Sequence, residues 1–158
     1  MKDRHDTDSP PRLGEIGLAN YPPYLMNRIM GRYNASIRDE MAKLGLTTPK
    51  MRALAVLSVM DGLLISQLAV HAIVEQSTLS RALDALQTEG LIRRETDPDD
   101  SRVTRVFISD AGRVAFETLW PHMAKTYQAM FSGIEDAERR AFVATLQKIH
   151  TNIRKHDF

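Results

Sequence analysis

Apolar residues recur at three- and four-residue spacing toward both ends of the chain, which predicts long amphipathic helices there. The first helix is predicted over residues 22–45, because Pro22 suits a first helical turn and Gly45 suits a helix end. Thr47-Thr48-Pro49 predicts the start of a second helix that reaches about Met60. The apolar stripe of the first helix consists of Leu25, Ile29, Tyr33, Ile37, Met41 and Leu44.

Two further helices are predicted after residue 110. Pro121 inside the first of them predicts a kink or a brief interruption near Trp120. Ser132-Gly133-Ile134-Glu135 fits a capping box that would start the last helix. Their apolar stripes are Phe116, Leu119, Met123, Tyr127 and Met130 in the first, and Phe142, Leu146, Ile149 and Ile153 in the second.

The middle of the chain predicts a pair of shorter helices, one starting near Ser66 and one over residues 76–89. In the second, Leu79, Ala82, Leu83 and Leu86 share one face, and Ser77, Arg81, Asp84 and Thr88 share the opposite face. Small hydroxyl residues and one arginine suit a helix that approaches a DNA duplex closely. An ordinary amphipathic helix with a solvated polar face shows the same pattern, so the neighbouring elements decide between the two.

Residues 91–108 alternate as two strands joined by a turn. Residues 91–95 are rich in strand formers, residues 97–101 have turn chemistry, and residues 103–108 alternate between two faces. Gly90 suits the end of the preceding helix. A helix pair followed by a β-loop is the plan of a winged helix-turn-helix, so the predicted fold class is mainly α with a small β-wing.

Several motifs resemble the MarR (multiple antibiotic resistance regulator) family, over about residues 22–155. Ile73 departs from the family pattern, which usually has glycine in the turn between the two DNA-site helices. The wing motif with the Ser-Asp-Ala-Gly that follows it is the most specific part. The motifs are Leu46-Thr47-Thr48-Pro49, Arg52-Ala53-Leu54, Leu68-Ala69, Gln76-Ser77-Thr78-Leu79-Ser80-Arg81, Leu86, Glu89-Gly90-Leu91-Ile92-Arg93-Arg94, Asp97-Pro98-Asp99-Asp100-Ser101-Arg102 and Ile108-Ser109-Asp110-Ala111-Gly112.

The resemblance implies a dimeric transcription regulator, usually a repressor, with recognition helices in successive major grooves and wings in the flanking minor grooves. Arg102 is the expected wing arginine and Asp100 its expected partner. A narrow minor groove concentrates negative potential and attracts an inserted arginine. The expected DNA-binding residues are Gln76, Ser77, Thr78, Ser80 and Arg81 on the helix, and Arg94, Asp100, Arg102 and Arg105 on the wing.

The helices at both ends also favour a homodimer. A winged unit at about residues 47–109 leaves apolar stripes at about 22–45 and 110–155, and packing these dimerisation helices across a two-fold axis covers them. Two recognition helices would then lie roughly 34 Å apart on an inverted-repeat operator. The alternative is that the helices fold back on their own monomer. Residues 1–20 are expected to form a mobile arm, and 21–158 a single regulator domain.

Charge and composition limit the function without identifying it. The net charge is +1, and residues 81–105 hold five arginines against six acidic residues, so bulk charge does not favour DNA binding. The absence of cysteine excludes disulfides and thiol-based sensing. No apolar run is long enough to span a membrane and the start of the chain is charged, so a cytoplasmic protein is expected.

The resemblance also implies a small aromatic or acyl effector that releases the protein from DNA. Arginines can pair with a carboxylate and methionines adapt to flat apolar ligands, although each candidate also suits ordinary core or surface roles. No cofactor is expected. His5, His71, His122, His150 and His156 are too dispersed for a metal site. The candidate effector-binding residues are Tyr24, Asn27, Arg28, Met30, Arg32, Met51 and His71.

Two other function classes remain open at this point. A winged-helix module that binds protein rather than DNA is supported by the local acidic excess. An enzyme is disfavoured because the sequence has no Gly-rich phosphate loop, no nucleophile elbow and no metal-ligand spacing.

Overall fold

The computed structural model of the protein describes residues 9–158 and divides the chain into two units, with a boundary between Arg38 and Asp39. The first unit contains a short helix α1 (Leu13–Ile16), a 3-10 helix (Leu18–Asn20) and most of α2 (Pro22–Lys43). The predicted arm over residues 1–20 therefore includes two helical turns in its described part. Residues 1–8 lie outside the described residues, and the mobility of the arm stays a prediction.

The second unit has the element order of a winged helix-turn-helix followed by two long helices. This order confirms the predicted fold class, mainly α with a small β-wing. Its elements after the end of α2 are α3 (Thr48–Val59), β1 (Leu63–Leu64), α4 (Ile65–Ala72), α5 (Gln76–Thr88), β2 (Ile92–Thr96), β3 (Thr104–Ile108), α6 (Asp110–Met130) and α7 (Asp136–Ile153).

The core of the second unit lies where α3 packs against α4, α5 and α6. All four apolar residues predicted on the inner face of α5 are buried, which confirms the predicted orientation of that helix. Because this face is fixed against α3 and α4, the opposite face of α5 is turned to solvent. The fully buried side chains of this core are Leu54, Leu57, Leu68, Leu79, Leu83, Leu86, Leu119 and Val106.

The wing is part of a three-stranded antiparallel sheet with the strand order β1-β3-β2. Ile92 pairs with Ile108 and Arg94 with Val106, and the last pair, Thr96 with Thr104, leaves residues 97–103 as the loop of the wing. Strand β1 was not predicted, because its two residues are too short to show alternation. Leu63 pairs with Val106, so β1 ties the wing to the chain that precedes the helix pair.

The structure tests two predictions about the C-terminal helices. Helix α6 runs without interruption through Pro121, so the predicted interruption is absent and a kink there stays a prediction. Pro121 is exposed, so water can satisfy the carbonyl that loses its intrahelical hydrogen bond. Helix α7 starts at Asp136 with no side-chain cap, because Gly133 takes a left-handed conformation and residues 131–134 form a turn instead of a capping box.

A membrane-spanning helix needs about 20 consecutive, predominantly apolar residues. Within residues 9–158, no helix is long and apolar enough to cross a bilayer.

Candidate nucleic-acid interface

The solvent face of α5 carries the residues predicted to meet DNA. Gln76, Ser77, Thr78 and Arg81 are exposed, and Ser80 is half-buried beside them. The side chains of Thr78 and Arg81 make no hydrogen bond or ion pair with any residue from 9 to 158. Arg81 is therefore the long cationic side chain on α5 that is available to an external partner.

The two serine hydroxyl groups in the first turns of α5 make short local hydrogen bonds. Ser77 Oγ donates to the Glu75 carboxylate at 3.0 Å, and Ser80 Oγ donates to the Gln76 carbonyl at 2.9 Å. Each hydroxyl keeps acceptor capacity after donating its proton, so both can still receive a hydrogen bond from a base edge. These contacts orient the serine side chains and leave their oxygen atoms available to a partner.

Ile73 forms the turn between α4 and α5 in a left-handed conformation, with φ 54° and ψ 50°. This is the position at which the family usually has glycine, and the turn keeps a glycine-like geometry with a β-branched residue in it. The Arg52 guanidinium donates to the Ile73 carbonyl at 3.1 Å, and Val74 N–H donates to the Ala69 carbonyl at 3.1 Å. The side chain of Ile73 is 78% exposed, so no packing compensates for the backbone strain.

Ile73→Gly is therefore expected to stabilise the protein. Relief of the left-handed strain contributes about 1–2 kcal/mol, and the extra freedom of glycine in the unfolded chain subtracts about 0.5–1 kcal/mol. A rise of roughly 2–3 °C in Tm should follow, measured by thermal unfolding. Ile73→Ala keeps a Cβ atom and should gain less. A glycine variant that is no more stable than the alanine variant would contradict this account of the turn.

Asp97 organises the wing from its base. It is buried, and its Oδ1 accepts the backbone N–H groups of Asp99 at 2.9 Å and Asp100 at 3.0 Å. Its Oδ2 accepts a hydrogen bond from Arg105 Nε, and Arg105 Nη1 donates to the Gly62 carbonyl at 3.0 Å. The Asp99 N–H and the Arg105 guanidinium hold the pKa of Asp97 below its ordinary value.

Asp97→Asn should loosen the wing in a pH-dependent way. Because its folded pKa is lowered, the Asp97 carboxylate stabilises the fold above the ordinary carboxyl pKa of about 4, and the contribution is lost as pH falls through the lowered value. At pH 7 the variant should unfold a few degrees lower than the wild type. The difference should shrink below about pH 4, which thermal unfolding across pH measures. A gap that stays constant at acid pH would count against this role.

Arg102 lies at the tip of the wing with its side chain 87% exposed. Asp100 binds the guanidinium in a two-point contact, with Nε to Oδ1 and Nη2 to Oδ2 both at 3.0 Å. This ion pair raises the pKa of Arg102 and lowers that of Asp100. The structure thus contains the Asp100–Arg102 pair that the resemblance implied, in a position open to an external partner.

Two other arginines that were predicted to meet DNA are engaged inside the winged unit. Arg94 Nη2 contacts Asp84 Oδ1 at 2.8 Å, and its Nε donates to Gln87 Oε1, so it braces β2 against α5. Arg105 is held by Asp97 and the Gly62 carbonyl as described above. Sequence reasoning missed the contact with Gly62 because Gly62 lies 43 positions from Arg105. Contact of either arginine with DNA stays a prediction.

The seven effector-binding candidates are divided between the two units: those on α2 lie in the first unit, and Met51 and His71 lie in the second. On α2, Arg28 Nη1 donates to the Tyr24 hydroxyl at 3.2 Å, and its guanidinium lies 5.8 Å from the Tyr24 ring centre. Asn27, Met30 and Arg32 are exposed on the same helix. In the second unit, Met51 is buried in the core and the ring of His71 lies 5.5 Å from that of Phe158.

An open groove of about 550 Å³ in the second unit has a different lining from the predicted one. It follows the outer face of α4 and the turn into α5, and none of the seven candidates contributes to it. A binding role for those seven residues stays a prediction. The groove is lined by Ser66, Ala69, Val70, Ile73, Val74, Glu75, Gln76 and His156.

The described residues were expected to lack a metal site, because the histidines are dispersed in the sequence. Among residues 9–158, no three His, Asp or Glu side chains are close enough together to bind a metal ion.

The helix pair α4 and α5, followed by the β2–β3 wing, forms a winged helix-turn-helix, a fold typical of DNA-binding proteins. The model of the MarR family matches residues 44–103. A solved MarR-family transcriptional regulator from Silicibacter pomeroyi is 58% identical, with a TM-score of 0.90 over 94% of this chain and 100% of that one. The chain belongs to the MarR family and is a transcription regulator, not an enzyme.

Two further proteins are similar to the chain. The chain is 27% identical to the HTH-type transcriptional repressor IacR of Pseudomonas putida, over 90% of this chain and 86% of that protein. CouR from Rhodococcus jostii, solved bound to p-coumaroyl-CoA, is 22% identical, with a TM-score of 0.73 over 84% of this chain and 94% of that one. At this identity the likeness to CouR shows the fold alone.

Proposed function

We propose that the protein is a cytoplasmic repressor that binds an inverted-repeat operator as a homodimer through α5 and the wing. A small aromatic or acyl ligand releases it from the DNA. The observation that carries the proposal is the placement of two exposed arginines. Arg81 projects from α5 without a partner in the described residues, and Arg102 is preset at the wing tip by Asp100. An α-helix fits the major groove and an arginine fits the narrow minor groove.

The pairing of charges favours DNA over a protein partner. Five of the six acidic residues between 81 and 105 are paired with cations, so the local acidic excess does not form a repulsive patch. Those acids position arginines or brace the winged unit, and Arg81 keeps its full charge for a ligand. The pairs are Asp84 with Arg94, Glu89 with Lys50, Glu95 with Arg93, Asp97 with Arg105, and Asp100 with Arg102.

The homodimer is supported by the uncovered apolar stripe of α7. Phe142, Val143, Ile149 and Ile153 are all exposed in the single chain, and Leu146 between them is only half-buried. A second copy of the chain related by a two-fold axis would cover this stripe. The alternative, in which α7 buries its stripe against its own monomer, does not agree with this exposure.

Oligomeric state and footprint together test the proposal. Sedimentation should give a dimer, and the protein should protect a two-fold symmetric site in the DNA upstream of its own gene. Ile149→Glu should shift the dimer toward monomer, because it introduces a charge into the stripe. Lys148→Glu introduces the same residue at the neighbouring position, outside the apolar stripe, and should leave the dimer intact. A monomeric wild type, or a wild type that protects no DNA, would refute the proposal.

An effector with a carboxylate is supported by the Arg28–Tyr24 pair on α2. The Tyr24 hydroxyl and ring hold the guanidinium, which can form two parallel hydrogen bonds with a carboxylate. In a thermal-shift screen of aromatic acids and acyl thioesters, a binding compound should raise the Tm of the wild type and not that of Arg28→Ala. Equal shifts in both proteins would remove Arg28 from the effector site.

A further inference from the structure

We propose that Asp61 and Arg113 lock α6 to the winged unit and thereby set the distance between the two recognition helices of a dimer. In this role they are positioning residues that select the spacing of operator half-sites. The proposal rests on the homodimer and the inverted-repeat operator proposed above. Its evidence lies in the contacts at the start of α6.

Asp61 and Arg113 together connect three elements. Asp61 lies in the loop between α3 and β1, and its Oδ1 accepts the backbone N–H of Ile108, at the end of β3, at 2.9 Å. Its Oδ2 accepts a hydrogen bond from Arg113 Nη2 at 3.3 Å, and Arg113 Nη1 donates to the Ser58 carbonyl at 3.3 Å. The end of α3, the end of β3 and the first turn of α6 are thus tied at one point.

A second set of contacts, made by Ser109 and Gly112, fixes the first turn of α6 from another direction. Ser109 is the single residue between β3 and α6, and its Oγ accepts the Gly112 N–H at 3.0 Å and donates to the Gly90 carbonyl at 2.6 Å. Gly112 packs directly on the backbone of Leu91, where an added Cβ would lie 2.1 Å from the carbonyl oxygen. Gly112 and Arg113 point about 100° apart around α6, so the two ties fix the helix in two directions.

Helix α6 acts as a lever on this joint. It has 21 residues, which is about 31 Å of helix. A change of about 10° at its first turn would move its far end by ~5 Å, which exceeds the rise of one base pair, about 3.4 Å. Helix α6 connects the winged unit to α7, which carries the proposed dimer contact. A tilt of α6 at its first turn would therefore change the distance between the two recognition helices.

The ion pair is suited to this role because it can be changed without unfolding the protein. Asp61 and Arg113 are both partly exposed, and ion pairs of this kind contribute little to the free energy of unfolding. Arg113→Ala removes the tie from the α6 side and leaves the hydrogen bonds from Ile108 and Gly62 to Asp61 in place. The effect should therefore appear in geometry rather than in stability.

Binding to operators with altered spacers tests the proposal in the full-length protein. The wild type should lose about tenfold or more in affinity when one base pair is added to or removed from the spacer between half-sites. For Arg113→Ala that ratio should fall to about threefold or less, and Arg113→Lys, which keeps a cation near Asp61, should recover most of it. Arg140→Ala removes an exposed arginine from α7 and should keep the wild-type ratio. A wild-type ratio in Arg113→Ala would overturn the proposal.

A distance measurement without DNA separates this proposal from the operator model. The sequence has no cysteine, so Thr88→Cys places one spin label on each α5. Double electron–electron resonance should give a narrow distance distribution in the labelled wild type and a broader one after Arg113→Ala. Equal widths would contradict the proposed role of Asp61 and Arg113 while leaving the proposed function intact. If the labelled wild type gave no label–label distance, the proposed homodimer would be contradicted, and the role of Asp61 and Arg113 with it.

Discussion

Gly112→Ala is expected to lower the free energy of unfolding by about 3 kcal/mol, and Tm by roughly 6–10 °C. The added Cβ would lie 2.1 Å from the Leu91 carbonyl oxygen, 2.8 Å from Ile108 Cγ1 and 3.0 Å from the Leu91 carbonyl carbon. Two of these atoms belong to the backbone, which pairs with Ser109 and cannot move aside as a flexible side chain would. The methyl group must therefore push α6 away from the winged unit.

A destabilising Gly112→Ala would be specific evidence for the close contact, because glycine-to-alanine substitutions within helices usually stabilise. In an ordinary helix, alanine is more favourable than glycine by about 1 kcal/mol. Gly31 lies within α2, and a Cβ added there meets no atom within 4 Å, so Gly31→Ala should be neutral or stabilising. Chemical unfolding of both variants checks the comparison. Similar stabilities for the two would show that the close contact at Gly112 is not what the structure indicates.

Arg81→Ala is expected to weaken binding to the operator by about 1–3 kcal/mol, which is five- to 150-fold in Kd. Arg81 is exposed on α5 and has no ion-pair partner in the range 9–158, so its removal should delete the proposed base contact without breaking the fold. The loss on random DNA should be smaller, because phosphate contacts carry most of the non-specific affinity. Titration of both DNAs at one salt concentration measures the difference.

Arg140→Ala is the matched control, since it removes the same charge from an exposed position on α7. It should change neither the specific nor the random Kd by more than a small factor. If Arg81→Ala lost the same affinity on both DNAs, Arg81 would be a phosphate contact, and its proposed role in reading bases would be wrong.

The features that the sequence predicted well are those with a local signal. The inner face of α5 follows from a helical period in Leu79, Ala82, Leu83 and Leu86, and burial of all four confirms it. The wing turn follows from a run of Asp, Pro and Ser. Both signals are complete within about a dozen residues, so they can be recognised without knowledge of any distant contact.

The features that the sequence did not predict depend on contacts between distant residues. Asp61 and Arg113 are 52 positions apart, and strand β1 is recognisable only through its pairing with β3. The ion pairs of Arg94 with Asp84 and of Arg105 with Asp97 were also not predicted, because a sequence shows an arginine and not the acid that binds it. Contact of these two arginines with DNA stays a prediction. The acidic excess likewise looked unfavourable for DNA until the structure paired its members with cations.

The most direct test of the central claim is the affinity of an Arg81→Ala and Arg102→Ala double variant for the DNA upstream of the gene, measured by fluorescence anisotropy. Both side chains are exposed and outside the core, so the double variant should keep the fold and the oligomeric state of the wild type. The account predicts that sequence-specific binding is lost and that only weak, salt-sensitive binding remains. A double variant that binds this DNA as tightly as the wild type would contradict it.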